Sequence, residues 1–134
     1  MARKADPKYV RANVDFLREA QASQGVLPLS DGLLYSVLRS GGSSLRPSLQ
    51  SIVTVHYRGV LIDGTEFDST YGGYAETFRL REVIVGWQIA LQGMSVGDHW
   101  RIYIPSVLGY GDRRCGNIPG GSTLIFEVEL LAVN

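Results

Sequence analysis

Few side chains in this sequence carry reactive chemistry. There are two histidines, His56 and His99, one cysteine, Cys115, and a Phe67-Asp68 pair in which a carboxylate follows an aromatic ring. His56 falls on the polar side of an alternating run and His99 opens another, so both read as surface histidines with no nucleophile or second ligand beside them. Cys115 stands next to Arg113 and Arg114, whose charge favours a thiolate, but with no partner base it reads as a bystander. One cysteine and two histidines do not make a closed zinc site, so neither metal nor cofactor is expected. No G-x-S-x-G elbow, G-x-x-x-x-G-K-[ST] loop, G-x-G-x-x-G turn or H-E-x-x-H helix is present, which removes the usual signatures of acyl, phosphoryl and zinc chemistry. What remains is a set of aromatic residues at strand ends and loops: Tyr57, Phe67, Phe78, Trp87, Tyr110 and Phe126, with Asp68 beside one of them. Each alone reads as core; jointly they suit the lining of an apolar pocket.

The stretch that must position this set is Val83-Ile84-Val85-Gly86-Trp87. Three aliphatic residues run into Gly86, expected to free the backbone for a turn, and then into Trp87. Trp87, Leu91 and Met94 recur at helical spacing, so a short helix opens here and ends near Gly93. Before it, Ile52–Leu61 alternates as a strand, with Val53, Val55 and Tyr57 on one side and Thr54, His56 and Arg58 on the other. Asp63-Gly64 predicts a type I′ hairpin, Ser69–Glu76 a loop, and Thr77–Leu80 a return to extended chain. After the helix, Trp100, Ile102 and Ile104 mark a strand ending at Pro105. Residues 106–122 form a long glycine-rich loop, of a kind that is either functional or disordered, and Leu124, Phe126, Val128 and Leu130 face the core from the last strand while Glu127 and Glu129 face solvent.

The N-terminal part is different. Asp6-Pro7 is a helix start, and Val10, Val14 and Leu17, joined by Phe16 and Ala20, give an amphipathic helix of about four turns that Gly25 stops. Its stripe docks either on its own domain or on a second chain as the end of a longer dimerisation region. Val26–Leu29 reads as an extended linker, and after the Asp31-Gly32 turn Leu33–Arg39 is a weak strand. The expected division is therefore residues 1–30, helix and linker, and 31–134, a globular α+β domain with one antiparallel sheet and one short helix. Thirteen Lys+Arg balance thirteen Asp+Glu in 134 residues, so nothing asks for nucleic acid. No apolar leader or membrane span is visible; the compartment is cytoplasmic if the chain is complete, and periplasmic or cell-envelope if a signal segment has been removed.

Four ordered blocks, VTVHYRGVLIDGTEFDST, VIVGWQIALQGMSVGD, IPSVLGYG and IPGGSTLIFEVELL, resemble the successive motifs of the FKBP-type peptidyl-prolyl cis-trans isomerases. The resemblance runs from about Ile52 to the C-terminus, and the preceding helix and linker are similar to those of the bacterial macrophage infectivity potentiator branch. It implies a strongly curved antiparallel sheet wrapped around the short helix, with a proline pocket between. Carried over residue by residue, Trp87 is the floor, and Tyr57, Phe67, Phe78, Val83, Ile84, Ile118 and Phe126 are the walls. The Ile84 amide and the Tyr110 hydroxyl would bond ligand carbonyls, with Asp68 at the rim; Asp68, Tyr110, Phe67, Trp87 and Phe126 would carry catalysis. The implied partners are X-Pro polypeptides, macrolide inhibitors such as rapamycin, and a second copy through a longer N-terminal region.

Departures from the family pattern lie in the flap from Gly111 to Gly120, where Gly120 replaces a second proline and is expected to loosen the loop, and in the direct Leu80-Arg81-Glu82 connection. They bear on substrate preference and inhibitor affinity. Cys115, on that flap, is expected to be open to alkylation. Two rival readings follow: a binding module or chaperone that keeps the pocket but turns over little, using the helix of residues 7–24 as contact surface, and a chain whose main role is self-association through that helix.

Overall fold

The computed structural model describes residues 5–134; residues 1–4, the start of the segment 1–30, lie outside the described residues. Asp6 caps the first helix, accepting from the Lys8 amide at 3.0 Å, and Pro7 occupies its first position. This helix, α1 (Pro7–Gln21), is followed by β1 (Leu27–Pro28) and β2 (Leu34–Arg39). Then come β3 (Ile52–Val60), β4 (Glu66–Ser69), β5 (Glu76–Arg79), the helix α2 (Val85–Gly93), β6 (His99–Ile104) and β7 (Leu124–Val133). All strands join one antiparallel sheet in the order β1-β2-β6-β7-β3-β4, with β5 pairing the first half of β3. The long central pair β3/β7 sets Tyr57 against Val128 and Gly59 against Phe126.

Alternation decides which face is buried. Val53, Val55 and Tyr57 from β3, Ile102 and Ile104 from β6, and Leu124, Phe126, Val128 and Leu130 from β7 all turn inward and close on Trp87, Ala90 and Leu91 of α2. Each fully buried aliphatic side chain of this kind stabilises the fold by about 1.5–3 kcal/mol. A curved sheet around one short helix is thus the arrangement in which both apolar faces are covered. No helix among the described residues is long and apolar enough to cross a membrane.

Several expectations change once tertiary neighbours are in place. Gly86 does not turn the chain: it lies inside α2 with no left-handed φ, and a Cβ there would sit 2.5 Å from Ile104 Cγ2, so its absence lets the helix seat on β6. The hairpin after β3 is not type I′. Asp63 keeps a negative φ because its carboxylate accepts the Thr65 amide at 2.9 Å, and only Gly64 is left-handed, at φ 88°. Two consecutive left-handed residues occur instead at Asp31 (φ 62°) and Gly32 (φ 88°), in the turn joining β1 to β2. Leu27 and Pro28, within the segment read as a linker, pair with Tyr35 and Leu34 and extend the sheet.

The face that α1 buries is also rotated from the expected stripe. Its buried residues are Asn13 and Ala20, while Val14 is half exposed, because the helix is held by polar bonds to the chain before β7 as well as by Phe16 against Tyr103. In this chain the helix packs on its own domain. His56 and His99 are half-buried rather than superficial: the His56 ring stacks on Tyr71 with 5.2 Å between centroids, and its Nδ1 lies 2.8 Å from the Thr70 hydroxyl.

Candidate active site

Between the concave face of the sheet and the N-terminal end of α2 lies a cavity of about 280 Å³ lined by Tyr57, Asp68, Phe78, Glu82, Val83, Ile84, Trp87, Tyr110 and Phe126. Trp87 comes from the first turn of α2 and is 4% exposed. Three rings stand nearly perpendicular to its indole: Tyr57 from β3 at 5.0 Å and 88°, Phe78 from β5 at 5.6 Å and 84°, and Phe126 from β7 at 5.3 Å and 84°. Perpendicular contacts of this kind add about 0.5–1.5 kcal/mol each beyond buried area, because a positive ring edge meets a negative ring face. The result is a box with the indole as floor and three rings as walls.

Polar groups enter at the mouth. Asp68, on β4, accepts the Tyr57 hydroxyl at 2.6 Å. Burial first, and then this bond and the Asp68 charge, push the Tyr57 phenol well above its ordinary value of 10.0, so the proton stays on the tyrosine and Asp68 is the acceptor. Tyr110 is raised too, by burial and then by the Cys115 and Asp68 charges, yet its hydroxyl has no hydrogen bond among the described residues. Ile84 is the residue preceding the first turn of α2, with φ −56° and ψ 151°, and its amide likewise donates to no acceptor among the described residues. Two donors without partners thus stand beside a mainly apolar box whose floor holds a third, the buried Trp87 Nε1, a pattern suited to carbonyl oxygens.

Phe67 and Ile118 lie next door rather than in the main cavity. They line an adjoining recess of about 260 Å³ with Cys115, Gly116 and Asn117, and the two hollows share Asp68, Tyr110 and Phe126. Phe67 packs edge-on against Phe126 at 5.4 Å and 87°. Gly59 makes this possible, since a Cβ there would lie 2.6 Å from the Phe67 ring. Cys115 is exposed on the recess wall. All ten residues singled out in the sequence are therefore brought to one continuous opening, eight in the cavity itself. Glu82 was missed: it stands on a single 3₁₀ turn (Leu80–Glu82) that nothing in its local pattern aims at a pocket. Among the described residues no group of three His, Cys, Asp or Glu side chains converges as a metal site.

The flap is closed at its base, not loosened, by Gly120. That residue is buried, with no room for a Cβ, which would fall 2.1 Å from the Asp112 carbonyl oxygen; the Gly121 amide donates to Gly111 O at 2.9 Å. A smaller residue brings the two ends of the loop into backbone contact.

A curved antiparallel sheet closed over one short helix, with an aromatic box between them, makes this an FKBP-like α+β protein. Residues 44–131 match the family described as FKBP-type peptidyl-prolyl cis-trans isomerase, and the chain belongs to that family. It is 46% identical over 121 residues to the peptidyl-prolyl cis-trans isomerase Mip of Coxiella burnetii, an alignment covering 88% of this chain and 52% of that protein. It is 41% identical over 120 residues to the isomerase FkpA of Aeromonas hydrophila, covering 89% of this chain and 44% of that one. The crystal structure of a peptidyl-prolyl cis-trans isomerase from Pseudomonas syringae pv. tomato superposes with a TM-score of 0.90 at 37% identity, covering 98% of both chains. The chain spans about half the length of the Coxiella and Aeromonas relatives it matches.

Proposed function

We propose that this protein is a peptidyl-prolyl cis-trans isomerase that accelerates rotation about X-Pro bonds in flexible or unfolded chains, without a covalent intermediate, and so assists protein folding. The observation that carries the reading is the box on Trp87, where three perpendicular rings wall one end of a cavity of about 280 Å³. An unaided X-Pro bond crosses a barrier of about 20 kcal/mol over tens of seconds, because amide resonance places charge on the carbonyl oxygen and keeps the bond planar. Twisting the bond removes that charge separation. An apolar slot therefore disfavours the planar ground state relative to the twisted one, and shape complementarity to the twisted form adds differential binding.

In this reading Trp87, Phe126 and Phe67 shape the slot around the prolyl ring, while Tyr57, Phe78 and Val83 complete its walls. The Ile84 amide and the Tyr110 hydroxyl hold carbonyl oxygens on either side of the rotating bond, and Ile118 borders the exit toward the recess. Asp68 acts on its neighbours by holding the Tyr57 hydroxyl rather than as a base. The same donors and rings would take a macrolide such as rapamycin.

A protease-free isomerisation assay on short X-Pro peptides tests this. Catalysis is expected in the wild type and is expected to vanish with saturating rapamycin. Absence of catalysis from a folded sample would overturn the reading in favour of a binding module built on the same pocket.

A further inference from the structure

We infer that the N-terminal helix is part of the pocket's machinery, with Tyr9 and Asn13 acting as positioning residues that hold the flap walling the site. The helix lies wholly outside residues 44–131, which match the family, so nothing in that match assigns it a role. Yet Asn13 is one of the few buried polar side chains, 2% exposed, and both ends of its amide are used. Its Nδ2 donates to the Tyr9 carbonyl at 2.8 Å and its Oδ1 accepts the Thr123 amide at 2.7 Å. A buried polar group so placed favours one docking geometry, since any slide of the helix would leave it unpaired away from water.

From that anchor two short routes reach the flap. Along the first, the Tyr9 hydroxyl lies 2.8 Å from the Ser122 hydroxyl, which donates to the Pro119 carbonyl at 2.6 Å. Pro119 is bonded to Ile118, a wall of the recess. Along the second, Gly121 lies directly under the helix, so close that a Cβ would sit 2.6 Å from Val10 Cγ2. The Gly121 amide donates to the carbonyl of Gly111, the residue after Tyr110, which lines the cavity. Both ends of the loop that separates Tyr110 from Ile118 are thus fixed against α1.

The inference rests on the isomerase reading above, and the test separates the two. Tyr9→Phe removes one hydroxyl and leaves Asn13 and the packed face of the helix intact, so the variant is expected to stay folded and to melt about 2–6 °C below wild type. Its kcat/KM on X-Pro peptides is expected to fall about two- to tenfold, the size of one lost hydrogen bond. The fall should appear in kcat with KM little changed, and should be no larger in Tyr9→Phe/Ser122→Ala than in Ser122→Ala alone. In parallel, methyl relaxation of Ile118 without substrate should report greater motion in Tyr9→Phe. Asn13→Leu should do the same more strongly, and Asn13→Asp, which keeps the acceptor for the Thr123 amide, should restore part of the order. Unchanged kcat/KM together with unchanged Ile118 relaxation would overturn the inference, leaving the contact a matter of stability alone. If the wild type is inactive, the isomerase reading fails and the Ile118 relaxation decides this inference by itself.

Discussion

The Tyr57–Asp68 pair places a carboxylate at the mouth of an apolar site with a buried phenol already bonded to it. The bond is short, 2.6 Å, and the phenol is held above its ordinary range by burial and by Asp68, so at neutral pH the carboxylate is already occupied as an acceptor. An asparagine placed there still offers a carbonyl oxygen to the same hydroxyl. Asp68→Asn is therefore expected to keep kcat/KM within about tenfold of wild type. Complete loss of catalysis with an unchanged circular dichroism spectrum would show that the charge itself acts on the substrate. Residues of this kind were legible in the sequence because ring and carboxylate types mark themselves. Glu82 and Asn13 were not, since an exposed glutamate on a turn and a polar residue in a helix gain meaning only from what the rest of the chain brings beside them.

At the level of elements, alternation in β3, β6 and β7 and the helical recurrence of Trp87, Leu91 and Met94 made most of the sheet and α2 readable, because burial on one face writes itself as periodicity. Contacts that depend on close approach leave no such trace. Gly86 is the clearest example: a residue that resembles a turn former is a first-turn helix position emptied to admit Ile104. Gly86→Ala should gain about 1 kcal/mol of helix propensity yet lose more, because a methyl 2.5 Å from Ile104 Cγ2 overpacks a fully buried contact. A net destabilisation of about 1–3 kcal/mol is expected in urea unfolding. The double variant Gly86→Ala/Ile104→Ala should be more stable than the two single losses add up to. A Gly86→Ala protein as stable as its parent would mean that the helix and β6 can part without penalty. The rotated face of α1 has the same origin, since a stripe drawn from Val10, Val14 and Leu17 weighs only apolar residues and the docking is fixed largely by Asn13.

Across the whole molecule, the outer face of the sheet is tied by one carboxylate. Glu129 on β7 lies in register with His56 on β3 and His99 on β6, accepts the Tyr71 hydroxyl at 2.7 Å, and meets Arg39 of β2 at 3.5 Å. The Tyr71 bond first, and then the charges of His99 and Arg39, hold its carboxyl below the ordinary value of 4.5. A folded pKa below the unfolded one means the stabilisation is complete above about pH 4.5 and is lost as pH falls through the folded value. Glu129→Gln should thus be less stable than wild type at pH 6, and the gap between their melting temperatures should narrow as the pH falls from about 4.5 toward 3. A gap that stayed constant over that range would show that the carboxylate is not the titrating partner. The two margins of the same sheet carry a separate consequence. One margin is β1, only two residues long, and one of those is Pro28, which has no amide hydrogen to offer; the other is formed by β4 and β5, four residues each, with Glu66, Asp68, Glu76 and Arg79 exposed. Neither offers a long, uncharged ladder on which a stray strand could grow. A protein whose proposed substrates are unfolded chains is in this way protected from being extended by them into an aggregate.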